Sequence, residues 1–388
     1  MSERRPAQST LLASLGLCAE DAYGGVSPPL FASDTYRWED PDTKPRYDYS
    51  RTVNPNRDLL IRLLGELEGA AGGVATNSGQ SAALLALLQL PAGALVVAPH
   101  DCYGGTYRLI SALEQQGKLL ARFVDQGDDA AYAAALADQP ALVWFETPSN
   151  PLLRIVDLAE RSGQARAAGA LTLADNTLPT PLRQRPLELG CDFVLHSTTK
   201  ALNGHADLFG GALLAADPGQ VEQLEWWANA SGVNASAHDA WMTLRGLRTL
   251  SLRIDRQEAT ARQIATWLEA HPAVVEVSYP GLESSPHRRL AELQQSGPGF
   301  LLSFRVAGGE QAANRFLKGL RLVTLASSLG GFSTLICKPA TMTHRGMPPE
   351  AQREAGILPD LLRLSVGLED EEDLRGDLQR AFSEMQEN

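Results

Sequence analysis

Asp192-Phe193-Val194-Leu195-His196-Ser197-Thr198-Thr199-Lys200 is the stretch that decides how this chain is read. Its apolar lead-in has the length of a buried strand, and small hydroxyl residues and a lysine follow at once. Upstream, Leu171-Thr172-Leu173-Ala174-Asp175-Asn176 ends a second strand-like run on a carboxylate. A lysine at the end of a buried strand can form a Schiff base with pyridoxal phosphate. Neighbouring hydroxyls can hold the phosphate, and the aspartate can pair with the pyridine nitrogen. The competing reading is a solvated surface lysine. The apolar lead-in and the lack of acidic neighbours at helical spacing weigh against it.

Working outward, the alternation of elements runs from about 57 to 217. Helix-like segments Leu59 to Leu67, Ser81 to Leu90 and Asp129 to Ala137 separate strand-like runs at Ala94 to Ala98, Leu119 to Val124, Ala141 to Glu146, Leu171 to Asp175, Asp192 to His196 and Gly211 to Ala215. Near-continuous apolar strands between helices predict an α/β fold with a mostly parallel sheet covered on both faces, its chemistry at the strands' carboxyl ends. Gly72-Gly73 reads as a turn. One long helix is expected over 236 to 270, and a smaller α/β domain after it, with strands at Val274 to Val277, Phe300 to Val306 and Leu361 to Val366 and helices at Gln311 to Leu317 and Glu371 to Met385. Residues 1–56, rich in Pro, Gly, Ser, Asp and Tyr, read as an extended arm. Its aromatics Tyr36, Trp38, Tyr47 and Tyr49 favour an arm that grips something over a frayed terminus. The expected units are thus 1–56, a cofactor-binding domain over 57–255, and a C-terminal domain over 256–388.

Composition narrows the function classes. At 388 residues, 44% hydrophobic and 21% charged, the chain is an ordinary two-domain globular protein. A formal net charge of -12 argues against nucleic acid as a partner. The four cysteines lie far apart with no C-x-x-C pair, so reduced thiols in a cytoplasm are expected rather than a disulfide framework or zinc knuckle. Neither a signal peptide nor a spanning helix is expected. The histidines lack metal-site spacing, so no metal is expected.

Further segments carry chemistry. Thr76-Asn77-Ser78-Gly79-Gln80-Ser81 before a helix presents backbone amides suited to phosphate, and serves equally as a plain N-cap. In His100-Asp101-Cys102-Tyr103-Gly104-Gly105, Tyr103 falls at a strand's carboxyl end, where it can stack on a heterocycle or be an ordinary half-buried loop tyrosine. Asn150, in the Pro148 to Pro151 turn, can bond a cofactor oxygen or a substrate carboxylate, although turn chemistry explains it too. Tyr47-Asp48-Tyr49-Ser50-Arg51 joins phenols to a guanidinium that suits phosphate. Arg363, alone in the apolar run Leu361 to Ser365, calls for an anion: a substrate carboxylate or a structural ion pair.

In order along the chain, these segments resemble the Cys/Met-metabolism (trans-sulfuration) family of pyridoxal phosphate enzymes, nearest its bacterial γ-synthase branch. The likeness spans almost the whole chain. It includes Asn54-Pro55, Phe123 to Asp128, Ala174 to Thr177, Leu202 to His205, Leu244 to Leu250 and Ala340 to His344 as well as the segments above. The resemblance implies a fold-type I, aspartate-aminotransferase-like enzyme, a homotetramer of dimers whose sites borrow arm residues from a partner. It implies Lys200 as the Schiff-base lysine, Asp175 on the pyridine nitrogen and Tyr103 as the stacking tyrosine, with Lys200 and Tyr103 as proton carriers. A phosphate cup of Ser197, Thr199, Gly79 and Gln80 would be completed by Tyr49 and Arg51 of the neighbour, and Arg363, Asn150 and Ser328 would hold the amino acid carboxylate.

The implied reaction is γ-replacement, joining O-succinylhomoserine or a related acylhomoserine to cysteine. Family members usually carry glutamate where this chain has Ser327, and the γ-synthases carry arginine at Thr52. Methionine is usual at Gln80 and threonine at Asn56, and Phe332-Ser333-Thr334 replaces Val-Glu-Ser. Arg108 is retained as a distal cation, and Asp48 also belongs to the expected substrate pocket. These departures leave open a γ-lyase acting on an amino acid with a neutral or cationic distal group. A non-catalytic scaffold is a third reading, opposed by the intact Lys200, Asp175 and Tyr103.

Overall fold

Strand order in the larger of two sheets explains where the chemistry gathers. The computed structural model describes residues 6–18 and 24–386. Strands β1 (Gly72–Thr76), β2 (Ala94–Pro99), β3 (Leu119–Val124), β4 (Leu142–Glu146), β5 (Leu171–Asp175), β6 (Phe193–His196) and β7 (Gly211–Ala215) lie in the order β1-β7-β6-β5-β4-β2-β3. From β6 through β3 every pairing is parallel. All residues of β4 and β7 are buried, as expected of runs such as Leu142-Val143-Trp144-Phe145 covered on both faces. The expected parallel sheet is therefore correct for its centre. The antiparallel part of this mostly parallel sheet is β7, which runs antiparallel to both β6 and β1.

Helices α1 (Gln8–Ser14), α2 (Pro55–Glu68), α3 (Gly79–Leu88), α4 (Gly104–Gln115), α5 (Asp129–Ala137), α6 (Leu158–Ala167), α7 (Thr180–Arg183), α8 (Pro218–Ser231), α9 (Ala237–Leu247) and α10 (Leu250–Glu269) accompany this sheet. Local chemistry sets their ends. Ser78, Asp128, Asp157, Asp217 and Ser236 are N-caps whose side chains accept backbone N–H groups, and Gly69 and Gly232 close α2 and α8 in left-handed conformation.

Three expectations need correction. Gly72-Gly73 is not a turn but the start of β1, where a Cβ on Gly73 would fall 2.7 Å from Leu214 Cα; the glycine allows close strand approach. The helix expected over 236–270 is two helices, broken at Arg248-Thr249. Past the break, Arg253 donates to Gly246 O and Ala201 O, both at 2.8 Å, and so ties α10 to the turn that follows Lys200. The arm is not wholly extended either: α1 inserts Leu11 and Leu12 into the core beneath α2.

A second sheet, in the order β10-β11-β12-β9-β8, comprises β8 (Val274–Ser278), β9 (Leu301–Val306), β10 (Thr324–Leu325), β11 (Leu335–Cys337) and β12 (Leu361–Ser365). With it go α11 (Arg288–Gln294), α12 (Gly309–Gly319), α13 (Pro349–Ala355) and α14 (Glu371–Gln386). Its core joins Phe304, Phe316, Leu362, Leu364 and Phe382 to Ile264 and Leu268 of α10, so that helix links the two sheets across position 255.

Candidate active site

Four carboxyl ends of neighbouring parallel strands supply the centre: Tyr103 follows β2, Glu146 ends β4, Asp175 ends β5, and Ser197 to Lys200 follow β6. Lys200 Nζ donates to Ser328 Oγ at 2.9 Å. Burial, and then the charge of Arg363, push its amine down to about 8. Burial raises the Asp175 carboxyl, opposed by bonds from Thr177, whose backbone N–H donates at 3.0 Å. Thr177 also accepts the Ser197 N–H at 2.9 Å, which joins the ends of β5 and β6.

The second sheet contributes from the opposite side. Arg363, buried in the middle of β12, donates from Nη1 to Asn150 Oδ1 and from Nη2 to Ser328 O, each at 2.8 Å, while its Nε has no partner among the described residues. Lys200, Ser328, Arg363 and Asn150 thus converge. Ser328 adopts φ 102°, a left-handed conformation uncommon for serine that coincides with its double role toward Lys200 and Arg363.

Gly79 and Ser197 close the other end. A Cβ on Gly79 would sit 2.7 Å from Ser197 Cβ and 3.0 Å from its Oγ, so the bare N-terminus of α3 is pressed against that hydroxyl. Gln80 and the Tyr103 ring pack together over Gly105. The Thr199 hydroxyl is committed locally: it donates to Gly210 O at 3.1 Å and accepts the Gly210 N–H at 3.0 Å.

A cleft of about 410 Å³ extends from Tyr103, bordered by Arg108, Ser327, Thr343 and Arg345. The arm residues lie elsewhere. Arg51 donates to Asn229 O at 2.7 Å and Oδ1 at 2.8 Å and covers the half-exposed Tyr49 ring at 5.7 Å. Thr52 reaches the same Asn229 Oδ1 at 3.4 Å, and Asp48 pairs with Lys44 at 3.3 Å. None of these four shares a bond with Lys200, Asp175 or Tyr103 of its own chain.

Sequence reasoning passed over Glu146, whose signal was a lone carboxyl closing an otherwise apolar strand. Its Oε2 and Oε1 accept the backbone N–H groups of Tyr103 and Asn150, and burial, then Asp175, raise its carboxyl well above the usual range. It also missed Arg345, next to the Ala340 to His344 segment, and the buried Glu68–His196 pair at 2.6 Å.

Pyridoxal phosphate fits these residues. A buried carboxyl with no guanidinium or ammonium bonded to it suits a ring-nitrogen cation. Burial shifts the lysine toward its neutral form, and the bare glycine at the N-terminus of α3 brings helix amides suited to a phosphate beside the Ser197 hydroxyl. Among the described residues no cluster could hold a metal, and no helix is long and apolar enough to cross a membrane.

Comparison with known proteins agrees. The chain is 49% identical over 376 residues to cystathionine γ-synthase of Escherichia coli, covering 97% of each chain. It is 39% identical to cystathionine γ-lyase of Bacillus subtilis, covering 97% of this chain and 99% of that one. The crystal structure of cystathionine γ-synthase from Xanthomonas oryzae pv. oryzae in complex with cystathionine superposes with a TM-score of 0.97 at 46% identity, covering 99% of this chain and 100% of that one. The architecture is that of fold-type I. Residues 9–383 match the family of Cys/Met metabolism PLP-dependent enzymes, and the chain belongs to that family.

Proposed function

We propose that the protein catalyses γ-replacement, joining an O-acylated homoserine to cysteine to give cystathionine. The observation that carries this reading is the convergence of Lys200, Ser328, Arg363 and Asn150 beside Tyr103, in a chain 49% identical to a cystathionine γ-synthase. Elimination by a γ-lyase is less well supported. The relative so named is more distant, and the two arginines beside the cleft oppose a cationic distal group.

When bound, the cofactor withdraws electrons as bonds at the substrate's Cα break. In this reading Asp175 holds the ring nitrogen, Tyr103 covers the ring, and Gly79, Gln80, Ser197 and Thr199 face the phosphate. Arg363, with Asn150 and Ser328, orients the α-carboxylate, and its unpartnered Nε leaves a donor for the substrate. Lys200, about 8, is partly neutral near neutral pH, so Nζ can take the Cα proton. Tyr103, at the mouth of the cleft, can move a proton at the departing γ-substituent.

The arm implies assembly. Tyr49 and Arg51 would complete the phosphate cup of a neighbouring subunit in a homotetramer, and Asp48 and Thr52 would border its substrate. The reading retains an arm over 1–56 and domains over 57–255 and 256–388. Four free thiols suit a cytoplasmic setting.

The test is incubation with O-succinylhomoserine, with and without cysteine, following cystathionine and 2-oxobutanoate. Cystathionine as the main product with cysteine present supports the reading. Turnover of γ-substituted amino acids with 2-oxobutanoate alone would overturn it.

A further inference from the structure

The 410 Å³ cleft beyond Tyr103 brings two guanidinium groups to one space, Arg108 from α4 and Arg345 from the loop before α13. Neither makes a hydrogen bond or ion pair within the described residues. Others, such as Arg183 with Glu258 and Arg305 with Asp360, are paired. No aspartate or glutamate lines the cleft; hydroxyls of Ser327, Thr341 and Thr343 do. In a chain of net charge -12, two unpaired cations facing one cavity make a local field that favours an anion. The cleft also adjoins the reacting end, because Ser327 precedes Ser328, the partner of Lys200.

We infer that Arg345, acting with Arg108, binds an anionic group at the far end of the γ-substituent, as a specificity-determining residue supplied by the same subunit as Lys200. The identity of the ester rests on the γ-replacement reading; the anion site rests on the cleft alone. Ser327 places a hydroxyl, not a carboxylate, beside the two guanidinium groups, so no side chain of the lining neutralises them. A planar fork suits a terminal carboxylate or a phosphate monoester, so both are candidate ligands.

The test compares KM for O-succinyl-, O-phospho- and O-acetylhomoserine in the parent holoenzyme, Arg345→Ala and Arg345→Lys, with bound-cofactor absorbance as the check of folding. The expected result is a KM increase in Arg345→Ala at least tenfold larger for one or both anionic esters than for the acetyl ester, with Arg345→Lys between. Which anionic ester responds identifies a dicarboxylate or a phosphate ester. Calorimetric titration of the holoenzymes with succinate and with inorganic phosphate reads the site without turnover, and Arg345→Ala should weaken at least one of them tenfold. Equal KM changes for all three esters, with unaltered succinate and phosphate affinity, would overturn the inference. A parent that binds succinate through Arg345 yet forms no cystathionine from any ester upholds the anion site and overturns γ-replacement.

Discussion

Glu146 Oε2 accepts the backbone N–H of Tyr103 at 2.8 Å, so the carboxyl that ends β4 fixes the residue that caps α4, at the end of the turn after β2. Its other oxygen accepts the N–H of Asn150 at 3.1 Å. One buried side chain therefore sets the spacing between the residue proposed to stack on the cofactor and the residue bonded to Arg363.

Glu146→Gln keeps the shape but turns an amide N–H toward one of those backbone donors. Leaving a buried N–H unmet costs about 1–3 kcal/mol. We expect roughly tenfold weaker cofactor binding and a raised KM, read by fluorescence titration of the cofactor-free protein and by steady-state kinetics. The raised carboxyl also gives a sign. The native state binds its proton more tightly than the unfolded chain, so this group's contribution to stability is fully present below the ordinary carboxyl range and is lost as pH rises through the native value. Denaturant unfolding of the cofactor-free protein across pH should show that decline, and Glu146→Gln should flatten it.

Lys200 gives the opposite slope. Its native value of about 8 lies below the ordinary 10.5, so the unfolded chain binds the proton more tightly and native stability rises with pH between the two. Below pH 8 the buried amine destabilises the cofactor-free protein by about 3 kcal/mol. Loss of its bond to Ser328 offsets about 1 kcal/mol of any gain on removal. Lys200→Met should therefore be the more stable cofactor-free protein at pH 7, by about 2 kcal/mol in urea, with the difference shrinking by pH 9.5.

Arg51→Ala and Lys200→Ala should each be inactive alone. If the arm serves a neighbour, co-assembly places an intact Lys200 opposite an intact Arg51, and random pairing restores about a quarter of the parental activity. No recovery in verified mixed assemblies would show that the arm does not complete a neighbour's site.

Glu68 and His196 are both fully buried and 2.6 Å apart, and Asn176 Nδ2 donates to the same Glu68 oxygen at 2.8 Å. Glu68→Ala leaves His196 and Asn176 without that acceptor. A loss of about 3–5 kcal/mol in urea unfolding is expected, and a smaller one for Glu68→Gln.

Much of this fold could be read from short apolar runs, because β4, β5 and β6 are buried on both faces and ordinary helices separate them. The direction of β7 could not, since Gly211 to Ala215 reads the same either way and antiparallel pairing is set by its long-range partners β1 and β6. Gly73 misled for a related reason: its missing side chain serves Leu214, distant in sequence. The α9–α10 break was hidden in a continuous helical stripe, and its explanation lies in carbonyls that Arg253 reaches. At the site, Lys200, Asp175 and Tyr103 were legible because each closes or follows a strand. Glu146 did the same, but its role depends on two backbone N–H groups that carry no sequence signature. Arg345 was silent because only folding brings its loop opposite α4.

In the proposed assembly, the arm's fastening to its own chain bears on how subunits would meet. Asn56 bonds Phe31 N–H and Pro29 O, each at 2.8 Å, Trp241 donates to Pro28 O at 2.8 Å, and Asn54 reaches Phe31 O at 3.0 Å. A segment held in this way is preorganised for docking. Association then need not order that stretch of chain, an entropy loss that would otherwise subtract from the affinity between subunits. Diluted subunits should recombine at the rate of rigid-body docking, without a slow step in which the arm folds.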